Sequence, residues 1–185
     1  MIDINADQLE RAQRMLMHIP GAAPKAMSNA INRAITTART EASRKVREMY
    51  YITNKNITAT IKLTKASPSN PVALIRSKSS PIALSKFKIT PTGPSPGRKS
   101  PIVARVIKGG GGPIAHAFVA RMKSGHIGVF NRVGKKSKPI DQRYGPSVPQ
   151  MLGNPNVTQW VEVKAKEKLD ERLDHEIRRI LEARR

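Results

Sequence analysis

The 185-residue sequence predicts an α+β fold, with long N-terminal and C-terminal helices packed on a central antiparallel sheet that carries extended basic loops. Three observations support this. One apolar stripe recurs at helical spacing within the first fifty residues, and a second does so after residue 154. Between them lie short β-branched segments bounded by Pro, Gly and Ser. The length suits a single domain. Along the chain, 1–50 reads as helices and 51–143 as a basic antiparallel sheet with mobile loops at 91–101 and 108–113. An elbow follows at 144–153, then a closing helix at 154–185.

Residues 7–18 read as a short helix, on a stripe of Leu9, Ala12, Leu16 and Ile19 at helical spacing, and Pro20-Gly21 ends it. Pro24 suits the first turn of the next, where its missing N–H is not needed. Met27, Ala30, Ile31, Ala34, Ile35, Ala38, Ala42, Val46 and Met49 then form one stripe. Its alanines permit close approach of another element, while Arg33, Arg39, Arg44 and Arg47 lie on the opposite face. Thr53 is placed to cap a short helix running to about Thr60.

Strands are expected at 61–65, 72–77, 82–90, 102–108, 116–123 and 127–132, with a turn at 67–71. Lys86, Lys88, Arg105, Arg121 and Lys123 fall at alternate positions, which would make one sheet face strongly positive. The segment 91–101 is rich in Pro, Gly and Ser, and Lys108 precedes four glycines and Pro113. Both are expensive to order and read as loops. In the elbow, Tyr144-Gly145-Pro146 reads as a tight turn. Ser147 caps a short helix with Val148 and Pro149 in its first turn, and Gly153 ends it. Asn154-Pro155 starts the last helix, from about 156 to 184, where Val157, Val161, Ala165, Leu169, Leu173, Ile177 and Leu181 recur every four residues, joined by Trp160 and Ile180.

Hydrophobic residues make up 38% of the chain and aromatics only 4%, so the core is thin and reliance on neighbouring subunits is expected. There is no cysteine, hence no disulfide and no thiolate chemistry. The N-terminal stretch lacks the pattern of a secretory signal, and no apolar run reaches the roughly 20 residues of a membrane helix, so a soluble protein made in a cytoplasm is expected. The charge is unevenly placed. Residues 51–153 hold eighteen Lys and Arg against one acid, Asp141, whereas both ends are nearly balanced. Such a middle calls for an anionic partner, either nucleic acid or an acidic surface.

Catalysis finds little support. His18, His116, His126 and His175 are scattered without metal-ligand spacing, no P-loop pattern is complete, and one carboxylate in the middle region leaves no acid–base pair. No cofactor and no small-molecule substrate are expected. Tyr50, Tyr51, Phe87, Phe118 and Phe130 offer possible stacking surfaces for bases, but no nucleic-acid-binding module is legible. Candidates for contact with DNA or an acidic partner are Lys86, Lys88, Arg98, Lys99, Arg105, Lys108, Arg121, Lys123, Arg132, Lys135, Lys136 and Lys138. Candidates for a subunit interface are Tyr144, Pro146, Val148, Met151, Leu152 and Trp160.

Five blocks resemble the phage minor tail protein Z family, in order. They are PGAAPKAMSNAINRA (20–34) with TTART (36–40), SKFKITP (85–91), AFVARMKSGHIGVFNR (117–132), YGPSVPQMLGN (144–154) and the charged closing helix. The resemblance covers about residues 9 to 180, and none of its blocks is a catalytic signature. It implies a structural virion protein acting in tail completion and head–tail joining at the neck. Its expected partners are copies of itself in a ring, tail terminator or tail tube and neck or connector proteins, and packaged double-stranded DNA. The alternatives kept beside it are a cellular protein that coats DNA or RNA non-specifically and a ribosome-associated protein.

Overall fold

The computed structural model describes residues 6–183. The elements in order are α1 (Ala6–Met15), α2 (Ala22–Met49), α3 (Asn54–Thr58), β1 (Ile61–Thr64), β2 (Leu74–Ser77), β3 (Ile82–Ala83), a 3-10 turn (Leu84–Lys86), β4 (Lys88–Thr90), β5 (Ile102–Arg105), β6 (Gly112–Ile114), β7 (Ala117–Arg121), β8 (Ile127–Arg132), β9 (Ile140–Gln142), β10 (Tyr144–Gly145), α4 (Val148–Leu152) and α5 (Pro155–Glu182). The α+β class and the antiparallel pairing agree with the sequence reading. The strands, however, do not form one central sheet. They divide into four small ones, β1–β2, β10–β3, β4–β5–β6 and β7–β8–β9. The chain groups into two compact units.

The first unit comprises residues up to 43, 61–77 and 154 onward. Here the terminal helices pack on each other. Ala12 and Leu16 of α1, Ala26, Met27, Ala30, Ile31 and Ala34 of α2, and Leu169, Leu173 and Ile177 of α5 form one buried cluster with Ala66. The side chain of Leu9 and position 184 lie outside the described residues. The predicted stripe of α2 is buried from Met27 to Val46. That of α5 is buried at Val157, Ala165, Leu169, Leu173 and Ile177, while Leu181 is exposed.

Polar side chains fix the register of these helices. Asn32 clamps the backbone of Ala66 from both sides: its Nδ2 donates to the carbonyl at 2.9 Å and its Oδ1 accepts from the N–H at 2.8 Å. Asn32→Ala leaves both half-buried backbone groups without a partner and is expected to cost about 2 kcal/mol. Denaturant unfolding of the full chain checks this, and a loss below about 0.5 kcal/mol would contradict it.

One turn earlier, Asn29 Nδ2 donates to Glu176 Oε2 at 3.0 Å, and Arg179 donates to the same oxygen at 2.6 Å. Burial alone would raise the Glu176 carboxyl, but these two hydrogen bonds outweigh it and hold the group below its ordinary value. A carboxylate with a lowered folded-state pKa adds stability above the usual glutamate range and loses it as pH falls through the lowered value. A shallower drop in melting temperature on acidification is therefore expected for Glu176→Gln than for the parent, and parallel curves would sink the idea.

The second unit comprises residues 44–60 and 78–153. It holds α3, α4 and three of the sheets. Thr53 precedes α3 as expected but makes no side-chain cap bond. The expected strand at 82–90 is interrupted by the 3-10 turn, which lies against β8 and β4. The segment 108–113, expected as a loop, is instead a tight turn into β6, where Ala104 pairs with Gly112 and Ile102 with Ile114. The turn is possible because Gly109 and Gly111 take φ of +81° and +112°, a region open to glycine.

Tyr144-Gly145 is likewise not a free turn. It is a two-residue strand, with Tyr144 opposite Ala83 and Gly145 opposite Ile82. The rest of the elbow follows the local sequence signal. The Ser147 side chain accepts from the Gln150 N–H and the Gln150 side chain accepts from the Ser147 N–H, a reciprocal cap with Pro149 in the first turn.

Candidate functional site

The β4–β5 pair sorts its residues by face. Lys88 lies opposite Arg105, Ile89 opposite Ala104 and Thr90 opposite Val103. Directly opposed residues share a face of the sheet, and alternate residues take the other. Ile89, Ile102 and Ala104 are accordingly buried, while Lys88, Thr90, Val103 and Arg105 line an open cavity of about 210 Å³. Two cations standing directly opposite each other cost stability in the absence of an anion.

The chain just after α2 adds an aromatic to this site. Tyr51 N–H donates to the Val106 carbonyl at 2.8 Å, Lys108 N–H donates to the Met49 carbonyl at 2.8 Å, and Tyr50 bridges Ile107. Residues 49–51 thus run antiparallel beside the continuation of β5. The Lys88 and Lys108 ammonium groups both lie over the half-buried Tyr51 ring, 5.1 and 5.8 Å from its centroid. A ring face attracts a cation electrostatically, so the tyrosine partly offsets the repulsion between the lysines. Arg105 is held from behind. A Cβ at Gly111 would lie 2.7 Å from Arg105 Cγ, so the glycine backbone lies directly along the arginine stem.

Counter-charges are found elsewhere. Among the described residues, the ion pairs join helical residues, such as Arg11 with Asp174, Lys45 with Glu48 and Lys168 with Glu171. No ion pair there links a Lys or Arg of 51–153 to a carboxylate. Asp141 sits on β9 opposite Asn131, in a different sheet from β4–β5.

The other expected cations do not join this cluster. The Arg98 guanidinium is used within its own loop, donating to the Ser100 carbonyl at 3.0 Å and the Pro101 carbonyl at 3.4 Å. Arg132 stacks over Phe118, 5.4 Å from its centroid. Lys86, Lys99, Arg121, Lys123, Lys135, Lys136 and Lys138 are exposed on the 3-10 turn, strand ends and loops.

The interface candidates separate by burial. Val148 and Met151 are fully buried within the chain, Pro146 and Leu152 are half-buried, and Tyr144 is 56% exposed. Trp160 donates through Nε1 to Glu41 at 3.1 Å and carries Lys164 over its ring.

Thr90 and Val103 were not legible as site residues, because nothing local to either sequence fixes which residues the two strands set opposite each other. By sequence alone Tyr51 offers only a stacking surface; the pairing of residues 49–51 with 106–108 gives it a different role. Among the described residues, no group of three or more His, Asp or Glu is arranged to hold a metal ion, and no helix is long and apolar enough to cross a membrane.

A family model described as prophage minor tail protein Z matches residues 7–184. No curated protein and no solved structure matches the chain.

Proposed function

The chain belongs to the prophage minor tail protein Z family and is a structural minor tail protein of a phage; from that premise we propose that it completes the head-proximal end of the tail and helps join it to the neck. It assembles there as a ring of copies, against tail terminator or tail tube proteins on one side and connector proteins on the other. Its strongly basic middle faces the packaged DNA or acidic neighbouring subunits. The observation that carries this reading is the family match over nearly the whole chain. The segment of eighteen cations and one acid is its physical complement, because a component lining a DNA path needs unpaired positive charge. The thin core and the exposed Tyr144 fit a protein that buries further surface against neighbours.

Electron microscopy of lysates from a phage lacking this gene tests the proposal. Full heads and finished tails that stay apart, or joined particles that fail to deliver DNA, are expected. Normal infectious particles would overturn it.

A further inference from the structure

From the β4–β5 face we infer that Lys88, Arg105 and Lys108 form one discrete site for the backbone phosphates of double-stranded DNA, organised by Tyr51. The inference deepens the proposed function and rests on its DNA-facing reading. It narrows a diffuse positive region to three side chains and one class of ligand.

The geometry supplies the argument. The three cations reach one place from three chain segments: β4, β5, and the stretch after β5 that pairs with residues 49–51. They are exposed, and among the described residues no carboxylate pairs with them. The cavity between the strands adds the Thr90 side chain, whose hydroxyl is a further donor suited to a phosphate oxygen. A single carboxylate would leave most of this charge uncompensated, whereas successive phosphates along a strand match several fixed cations.

Tyr51 decides how the nucleic acid is read. Both lysine ammonium groups lie over its ring, so the ring is engaged as a cation platform and not as a stacking surface for a base. Recognition therefore runs through phosphates, without sequence preference and without an advantage for single strands. Positions remote from the cluster contribute less. Arg98 is held by its own loop, and Lys135, Lys136 and Lys138 lie on the connection between β8 and β9.

The test is the salt dependence of binding of the full chain to a mixed-sequence DNA duplex, compared with two triple variants. Each phosphate contact contributes about 0.9 to the slope of log affinity against log salt, so Lys88→Ala/Arg105→Ala/Lys108→Ala is expected to make the slope shallower by about 2.7. Lys135→Ala/Lys136→Ala/Lys138→Ala, the loop control, is expected to change it by less than about 1. Cooperative thermal unfolding of each variant establishes that both are folded.

A parent that binds duplex with the same slope as the cluster variant overturns the site and leaves the DNA-facing reading standing. Equal losses in the two variants overturn it too, since the contact is then spread over the middle region. A parent that ignores duplex DNA but binds polyglutamate overturns both the site and the DNA-facing reading, in favour of an acidic protein neighbour. Binding to neither probe overturns them as well.

Discussion

Gly111→Ala is expected to destabilise the chain by about 3–4 kcal/mol, while Gly110→Ala, one residue away, leaves stability unchanged or raises it by a few tenths to about 1 kcal/mol. The two glycines stand in the same run and look identical in the sequence. They differ in what an added methyl group would meet. At Gly111 the backbone takes φ +112°, and a Cβ would lie 2.5 Å from the Ala104 carbonyl oxygen and 2.8 Å from Arg105 Cα. Both obstacles are backbone, and that backbone is fixed by its pairing with β4 and β6. Nothing there can give without breaking the ladder.

At Gly110 the nearest atom to a Cβ is the Ile107 carbonyl oxygen at 3.9 Å, an ordinary contact, and φ is not positive. Alanine there only narrows the unfolded ensemble. Thermal unfolding separates the two, since 1 kcal/mol shifts the midpoint by about 2–4 °C in a chain of this size. Equal effects would refute the steric reading. Because Gly111 also lies along the Arg105 stem, its substitution is expected to disturb the cationic face together with the fold.

Much of the helical half of the molecule is legible because its signals are local and repeated. The stripe from Met27 to Val46 repeats over many turns, and each position is buried. The Ser147–Gln150 cap needs only four consecutive residues and is found where the sequence puts it. The strands are two to six residues long, too short for alternation to fix a register.

For that reason Lys88 and Arg105 could be placed among the cations but not opposite each other. The glycine turn and the pairing of 106–108 with 49–51 decide which cations meet. Asn29 and Asn32 were missed for another reason. Polar residues beside an apolar stripe read as solvated positions, and only the folded chain shows that they grip Glu176 and the Ala66 backbone. Two asparagines at i and i+3, bordering the stripe of a long helix, are the trace they leave in the sequence.

A second glycine gives the complementary case, in which the obstacle is a side chain and the damage is reversible. Gly145→Ala is expected to cost about 2–3 kcal/mol by overpacking. A Cβ there would lie 2.6 Å from Phe87 Cε2 and 3.2 Å from two further ring atoms. Phe87 is 6% exposed, so its ring has little room to move aside. The backbone of Gly145 itself is open to any residue, since its φ is not positive. The cost therefore resides in the ring alone.

Phe87→Leu removes the clashing ring atoms and by itself costs about 1–2 kcal/mol for the lost buried area. The double variant is then expected to be at least about 1 kcal/mol more stable than the sum of the single changes allows. A double-mutant cycle on denaturant unfolding measures that coupling. Strict additivity would show that the strand between Tyr144 and Pro146 is not seated against Phe87, and the close pairing of β10 with β3 would lose its explanation. No such rescue is expected for Gly111→Ala by trimming the Arg105 side chain, because the carbonyl of Ala104 would still block the methyl group.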